Sequence, residues 1–344
     1  MRAVAHRLAL VTLAATFVLI LFGGLVTNSG AALAVPDWPS TYGYNMFLFP
    51  WARMVGGIFY EHSHRLIGAV TGLLTLALAA ALWRAGGRLR WLGLVAVAAV
   101  VTQGVLGGLR VVLLRDTLAI FHGGLAQAFF GLLAAIALLT SPRARAAAGA
   151  VDLSNRGIAL VAVALVYVQI VSGALLTHAG RVDLHLAGAA LVYVLVPIVT
   201  ARLRRSGDLV AAPMATALLA LLGVQLLLGV GSYLARFSSI WIPGEQTTML
   251  LLPVAHRLVA SLILGASVVL ALRVLIGRAE PDRIFLRPPT VPPRLASDGG
   301  AMSVSLASHA GAPAPGRAAA RTAAPRRPAA SHSHAGLAGP APTS

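Results

Sequence analysis

The chain has 344 residues, 58% of them hydrophobic and only 11% charged, a balance that excludes an ordinary water-soluble domain and indicates a polytopic membrane protein. The formal net charge is +17 and every basic residue is arginine, but most arginines flank apolar stretches or lie in the C-terminal tail. Positive-inside topology and a basic tail therefore account for the charge without a nucleic-acid partner. The absence of cysteine excludes disulfides, thiolate metal sites and Cys-ligated iron–sulfur clusters. A transition metal here has only histidine, carboxylate or a porphyrin to hold it.

Eight apolar stretches approach the ~20 residues that cross a bilayer. They run over 8–27, 60–83, 91–110, 118–139, 157–177, 184–201, 212–234 and 251–276. With no water at the bilayer centre each must be a helix, so the predicted fold is an all-α membrane protein of eight transmembrane helices. The first stretch follows Arg2 and Arg7 like a signal peptide, yet it is long and lacks a clear small-residue cleavage site. It reads as a retained anchor. A loop over 29–59 contains Pro36-Asp37-Trp38-Pro39-Ser40-Thr41-Tyr42-Gly43, and another contains Trp241-Ile242-Pro243-Gly244-Glu245. Such loops act as lids or interfacial anchors. From Arg278 to Ser344 the composition shifts to Pro, Ala, Ser, Arg and His, which reads as a disordered tail. His309, His332 and His334 lie there, where nothing preorganises a buried site.

Arginine placement orients the spans. One side receives Arg2, Arg7, Arg84, Arg88, Arg90, Arg143, Arg145, Arg156, Arg202, Arg204, Arg205, Arg273 and Arg278; the other receives Arg53, Arg110, Arg115, Arg181 and Arg236. Both termini are therefore expected in the cytoplasm of a cell whose inner membrane holds the protein.

The halves repeat each other. Gly24-Leu25-Val26-Thr27 ends the first span, and Gly173-Ala174-Leu175-Leu176-Thr177 ends the fifth. Gln103-Gly104-Val105-Leu106-Gly107-Gly108 in the third matches Gln225-Leu226-Leu227-Leu228-Gly229-Val230-Gly231 in the seventh. Histidines open spans two, four, six and eight: His64, His122, His185 and His256. Both halves run in the same direction, which predicts two pseudo-symmetric four-helix bundles, residues 1–140 and 157–276, followed by the tail over 278–344.

A metal-binding side chain is costly in hydrocarbon without a partner. Four at one depth, two per half, predict two buried metal cofactors, and the geometry suits two hemes each held between a histidine pair. The sharpest local motif is Glu61-His62-Ser63-His64-Arg65. Glu61 and His64 are three apart and share a helix face, so Glu61 either exchanges protons beside a metal-bound substrate or only orients the histidine and the helix start. His62 points about 100° away from His64 and reads as a loop-side residue. His178 reads as a loop residue and His6 as part of the basic start. Arg65 and Arg257 each follow a proposed ligand and suit heme propionates; the alternative is an ion pair with Glu61 or a snorkel to the interface. Gly68, Gly72, Gly123, Gly124 and Gly188 lie within two turns of a ligand, leaving room for a flat macrocycle.

Taken together, eight spans, Glu-x-x-His-Arg in span two, single histidines opening spans four, six and eight, Asp37-Trp38-Pro39 in the first loop and the Gln-Gly-x-Leu-Gly-Gly stretch resemble the heme A synthase (CtaA/Cox15) family over residues 8–276. The resemblance implies oxidation of a methyl group of heme O to the formyl group of heme A, with water as oxygen source, through successive hydroxylations and dehydration. It places the substrate heme between His64 and His122 with Glu61 as the catalytic carboxylate and Arg65 beside it. It places a permanent heme b between His185 and His256, with Arg257 beside it, passing electrons onward. Heme O synthase, an electron acceptor and a second copy of the chain are the partners it raises. Some members carry a cysteine pair in the first loop; here Pro39–Gly43 has none, so that loop works without thiols. A bis-histidine b-type cytochrome that only moves electrons, or a heme carrier, needs the same histidines without Glu61.

Overall fold

The computed structural model describes residues 1–142, 144, 155–206, 208–240 and 244–276. Eight long helices carry the chain across: α1 (Arg2–Asn28), α2 (Gly56–Ala85), α3 (Leu89–Leu113), α4 (Asp116–Thr140), α5 (Arg156–Ala179), α6 (Val182–Leu203), α7 (Ala211–Phe237) and α8 (Glu245–Ile276). Each is long and apolar enough to cross a membrane. The shortest, α6, has 22 residues and reaches about 33 Å at the α-helical rise, against ~30 Å of hydrocarbon. Pro197 stays within α6, near its end, where the Thr200 hydroxyl donates to the Pro197 carbonyl at 2.9 Å. The eight expected spans are all present, and no β-strand is formed among the described residues. The tail and its three histidines, Arg143, Arg145 and Trp241–Pro243 lie outside the described residues.

Helices pack in two rings of neighbours. In the first, α1 lies against α2 and α4, and α3 against α2 and α4; in the second, α5 lies against α6 and α8, and α7 against α6 and α8. The rings meet through α4 and α8, flanked by an α4–α5 contact and its counterpart between α8 and α1. Small residues permit that approach. A Cβ on Gly131 of α4 would stand 3.5 Å from Val268, and one on Gly265 of α8 would stand 3.1 Å from Phe130. The contact is thus reciprocal, as a pseudo-two-fold axis requires. At α4–α5, the Tyr167 hydroxyl donates to the Gly124 carbonyl at 3.2 Å.

Each ring has an apolar core, and both cores sit at the end away from the histidines. Ala5, Ala9, Leu78, Leu82, Leu133 and Ile136 form the first; Val196, Leu203, Ala215, Leu218, Leu270 and Val274 belong to the second. That end is also tied by polar contacts. His6 Nδ1 lies 3.0 Å from the Ala137 carbonyl, joining the start of α1 to the end of α4. Arg273 of α8 pairs with Asp208 at 2.8 Å, both side chains being essentially inaccessible, and donates to the Ala144 carbonyl beyond α4. Asp208 in turn accepts from the N–H groups of Val210 and Ala211 at the start of α7, at 2.9 and 2.8 Å.

Candidate functional site

The four histidines come together as two pairs at one end of the rings. His64 of α2 faces His122 of α4 with ring centres 6.4 Å apart and ring planes at 71°. His185 of α6 faces His256 of α8 at 6.2 Å and 70°. Two imidazoles whose nitrogens each stand about 2 Å from a shared metal ion place their ring centres about 6.3 Å apart. Both pairs have that spacing. Among the described residues no three His, Asp or Glu side chains converge on one point. Two imidazoles cannot complete the coordination of a free ion, but they would suffice as the protein ligands of an iron already held by a porphyrin. The donor set therefore fits heme at both places.

The rings are backed by the helix that precedes each in the chain. His64 Nδ1 lies 3.2 Å from the Leu19 carbonyl of α1. His185 Nδ1 lies 3.2 Å from the Ser172 hydroxyl and 3.1 Å from the Gln169 amide nitrogen of α5. An imidazole whose Nδ1 is engaged presents Nε2 to a metal. Glycines on the same helices accept the ring edges. A Cβ at Gly23, Gly107, Gly173 or Gly229 would come within 3.2, 3.3, 3.2 and 3.0 Å of Cε1 of His64, His122, His185 and His256 respectively. The glycines expected to make room lie on the histidines' own helices and do different things. Gly124 packs on Tyr167 and Val171, Gly188 abuts the Gln169 side chain, and a Cβ at Gly72 or Gly123 would meet nothing within 4 Å.

Around the first pair, Glu61 and Arg65 hold the loop over 29–55. Glu61 Oε2 accepts from the Val35 N–H at 3.0 Å and Oε1 accepts from Arg65 at 2.9 Å. The rest of the Arg65 guanidinium donates to the carbonyls of Asp37 at 2.7 Å, Ser40 at 3.1 Å and Val35 at 2.9 Å. The ion pair is thus formed, and the guanidinium faces the loop backbone. Arg257 differs: its side chain has no hydrogen bond or ion pair to another described residue. His62 is buried at 1% exposure beneath the loop, with Nδ1 3.1 Å from the Thr41 hydroxyl and its ring 5.0 Å from that of Phe49. Trp38 lies flat on Gly108 of α3, where a Cβ would collide with the indole. His178 closes the last turn of α5 rather than lying in a loop.

Asp37 organises the loop. Its burial alone would raise the carboxyl pKa, but hydrogen bonds from the Gly43 N–H, the Ser40 hydroxyl and the Tyr42 N–H outweigh it and hold the value below the ordinary 3.8. The Gly43 and Tyr42 bonds measure 2.9 and 2.7 Å.

A family profile described as cytochrome oxidase assembly protein (COX15-CtaA) matches residues 6–184, which is more than half of the chain. The chain belongs to this family. A heme A synthase from Shouchella clausii (strain KSM-K16) is 28% identical over 180 residues, covering 50% of this chain and 58% of the relative. The COX15-CtaA match takes in Glu61, His64, Arg65 and His122 and ends at Leu184, one residue before His185. The second pair rests instead on its geometric equivalence to the first. Two features of the family member's site escaped sequence reasoning. Gln169, Ser172 and Gly23 back the histidines from a neighbouring helix; the four-residue spacing of Gln and Gly marks Gln169, and nothing local marks Ser172 or Gly23. The contacts of Glu61 and Arg65 with the loop span 25 to 30 positions for Arg65 and 26 for Glu61, and no local pattern announces them.

Proposed function

We propose that the protein is a heme A synthase, a membrane oxidoreductase that converts a methyl group of heme O to the formyl group of heme A. The observation that carries the reading is a pair of matched imidazole sites of which only the first has a buried carboxylate one helical turn before its histidine; Asp183, two residues before His185, is exposed and paired with Arg181. Glu61 lies one turn before His64, while the residue three before His185 is Val182. Two equal sites for electron transfer need no such difference; one site for chemistry and one for electrons does.

In this reading His64 and His122 hold heme O as substrate and His185 and His256 hold a permanent heme b. Arg257, without a side-chain partner among the described residues, would clamp a propionate. The heme b supplies one-electron transfer toward an acceptor. The overall change, a methyl group plus water to a formyl group, releases four electrons and four protons. Glu61 is the group placed to take protons from the attacking water or the substrate carbon. Arg65 and the Val35 N–H hold its two oxygens, so the loop aligns the carboxylate as well as covering it. Arginine placement supports an inner-membrane protein with cytoplasmic termini and the loop outside; heme O synthase is the donor of the substrate.

Glu61→Gln tests the catalytic assignment. The amide keeps an oxygen for the Val35 N–H while losing the charge and the exchangeable proton. Since general acid–base groups contribute about 10²–10⁴ in rate, heme A formation should fall by that order while the second site keeps its heme. A wild-type yield of heme A, read by chromatography of extracted hemes, would make Glu61 a loop anchor only and favour the electron-carrying or heme-carrying alternatives.

A further inference from the structure

Of the arginines at the histidine end, Arg53, Arg115, Arg181 and Arg236 are exposed, while Arg65, Arg110 and Arg257 are partly buried. An arginine withdrawn from water is costly unless something meets it. Arg65 is met in full: it pairs with Glu61 and donates to the carbonyls of Val35, Asp37 and Ser40. Neither Arg110 nor Arg257 has a hydrogen bond or ion pair to another described residue. Arg257 adjoins the second pair by following His256 in α8. Arg110 adjoins the first pair by a different route. It lies three residues after Gly107 in α3, hence on the same helix face, and a Cβ on Gly107 would stand 3.3 Å from Cε1 of His122. Arg110 is therefore about 4.5 Å further along α3 than that contact, towards the nearby end of the helix at Leu113. Its charge acts on both His64 and His122. His178, in the last turn of α5, feels Arg110 and Arg257 together. Asp116, the carboxylate in the same neighbourhood, is exposed and forms no ion pair with a described residue.

We infer that Arg110 binds a propionate carboxylate of the macrocycle held between His64 and His122, and that Arg65 acts on that macrocycle only through the loop. The inference rests on the reading that the first pair holds a heme. The residue after a ligand histidine is the obvious anchor, since His-Arg-Leu occurs at both 64–66 and 256–258. In the first ring that arginine is committed to Glu61 and the loop, so the anchor has to come from another helix. The helix that packs a glycine on the His122 ring supplies it. Where the His-Arg-Leu arginine is not so committed, the substitute is absent: the residue three after Gly229 in α7 is Ser232, whose hydroxyl donates to the Leu228 carbonyl of its own helix at 2.6 Å. A guanidinium presents parallel N–H donors that match a carboxylate, which an ammonium does not. Both carboxylates of a heme leave one edge of the ring. Holding that edge at α3 fixes the rotation of the macrocycle, and hence which ring substituent reaches Glu61.

The test titrates ferric heme, and its dimethyl ester with both carboxylates blocked, into the purified full chain whose second pair is already occupied. Absorbance gives the affinity and low-spin electron paramagnetic resonance the ligation. The binding phase that disappears in His64→Ala is that of the first pair. In that phase Arg110→Met should weaken ferric heme about 10–100-fold and leave the ester unchanged, which also shows that the variant is folded. Arg110→Lys, which keeps the charge without the paired donors, should recover part of the loss. The wild type should bind the ester more weakly than heme by a similar factor, and Arg65→Met should weaken both ligands alike. Wild-type heme affinity in Arg110→Met overturns the anchor, as does an equal loss for heme and ester, which would make Arg110 a structural or interfacial charge. Selective loss of heme over ester in Arg65→Met would return the role to Arg65. If His64→Ala removes no phase, the reading of the first pair falls and the anchor with it; if it removes a phase that Arg110→Met leaves intact, the anchor alone falls.

Discussion

Asp37 shows how a single carboxylate shapes the ground around the first histidine pair. Its two oxygens gather Ser40, Tyr42 and Gly43 into a tight turn, and the backbone of that turn is what Arg65 grips. Because the hydrogen bonds hold its pKa below the ordinary 3.8, the folded loop favours the ionised form. Stability from such a group is present above the unfolded pKa and disappears as pH falls through the folded one. The loop should therefore stay docked throughout pH 5–8 and loosen only below about pH 3.8. Limited proteolysis of the loop across that range checks it; loosening between pH 7 and 5 would contradict the assignment, and Asp37→Asn should loosen the loop at neutral pH. The two histidine pairs and the Glu61–Arg65 ion pair are built from residues that stand out in the sequence, because polar side chains inside apolar runs are conspicuous. The burial of His62 beneath Phe49 was not legible there, since it depends on a loop folding back over a helix.

At the scale of helices, apolar length identifies each of the eight long helices among the described residues but not their ends, and it gives no sign of the short 3-10 turns Met46–Leu48 and Trp51–Arg53. The last span was expected from 251, whereas α8 begins at Glu245. Gln246, Thr247 and Thr248 are helical without being apolar, since a helix continues into the interface where hydropathy stops signalling. The glycines beneath the rings escape local reading for a related reason. Proximity in sequence points to a residue on the ligand's own helix, while ring packing is supplied by the preceding helix. Arg273 was read as a topological charge, yet it is locked to Asp208 and joins α8 to the start of α7 and to Ala144. Removing one partner of a buried ion pair strands the other charge. Asp208→Asn should thus destabilise the protein by about 3–5 kcal/mol, seen as an earlier unfolding transition in detergent, and Asp208→Leu combined with Arg273→Met should recover much of the loss. Equal stability of Asp208→Asn and the wild type would show the pair to be incidental.

For the whole molecule, the pseudo-two-fold arrangement explains why two nearly identical imidazole pairs stand at one end of the rings while apolar side chains fill the other. The Gly131 and Gly265 contacts lie where α4 and α8 meet, so α4 and α8, each carrying one histidine of its pair, are also the helices that join the rings. That places the two histidine pairs in adjoining rings, the arrangement that the proposed function calls for. The repeat was legible because histidines, glycines and glutamines recur in the same order; the pairing of α4 with α8 was not, because neither helix advertises its partner. Reporter fusions at Gly43 and Pro293 should lie in opposite compartments, and a shared compartment would overturn the eight-span topology. The most direct measurement is the heme extracted from cells that make heme O but no heme A, with and without this chain. Heme A should appear only with the intact chain and vanish with His64→Ala or His122→Ala; heme O left unconverted by the intact chain, with both histidine pairs loaded, would show that the protein carries heme or electrons without performing the oxidation.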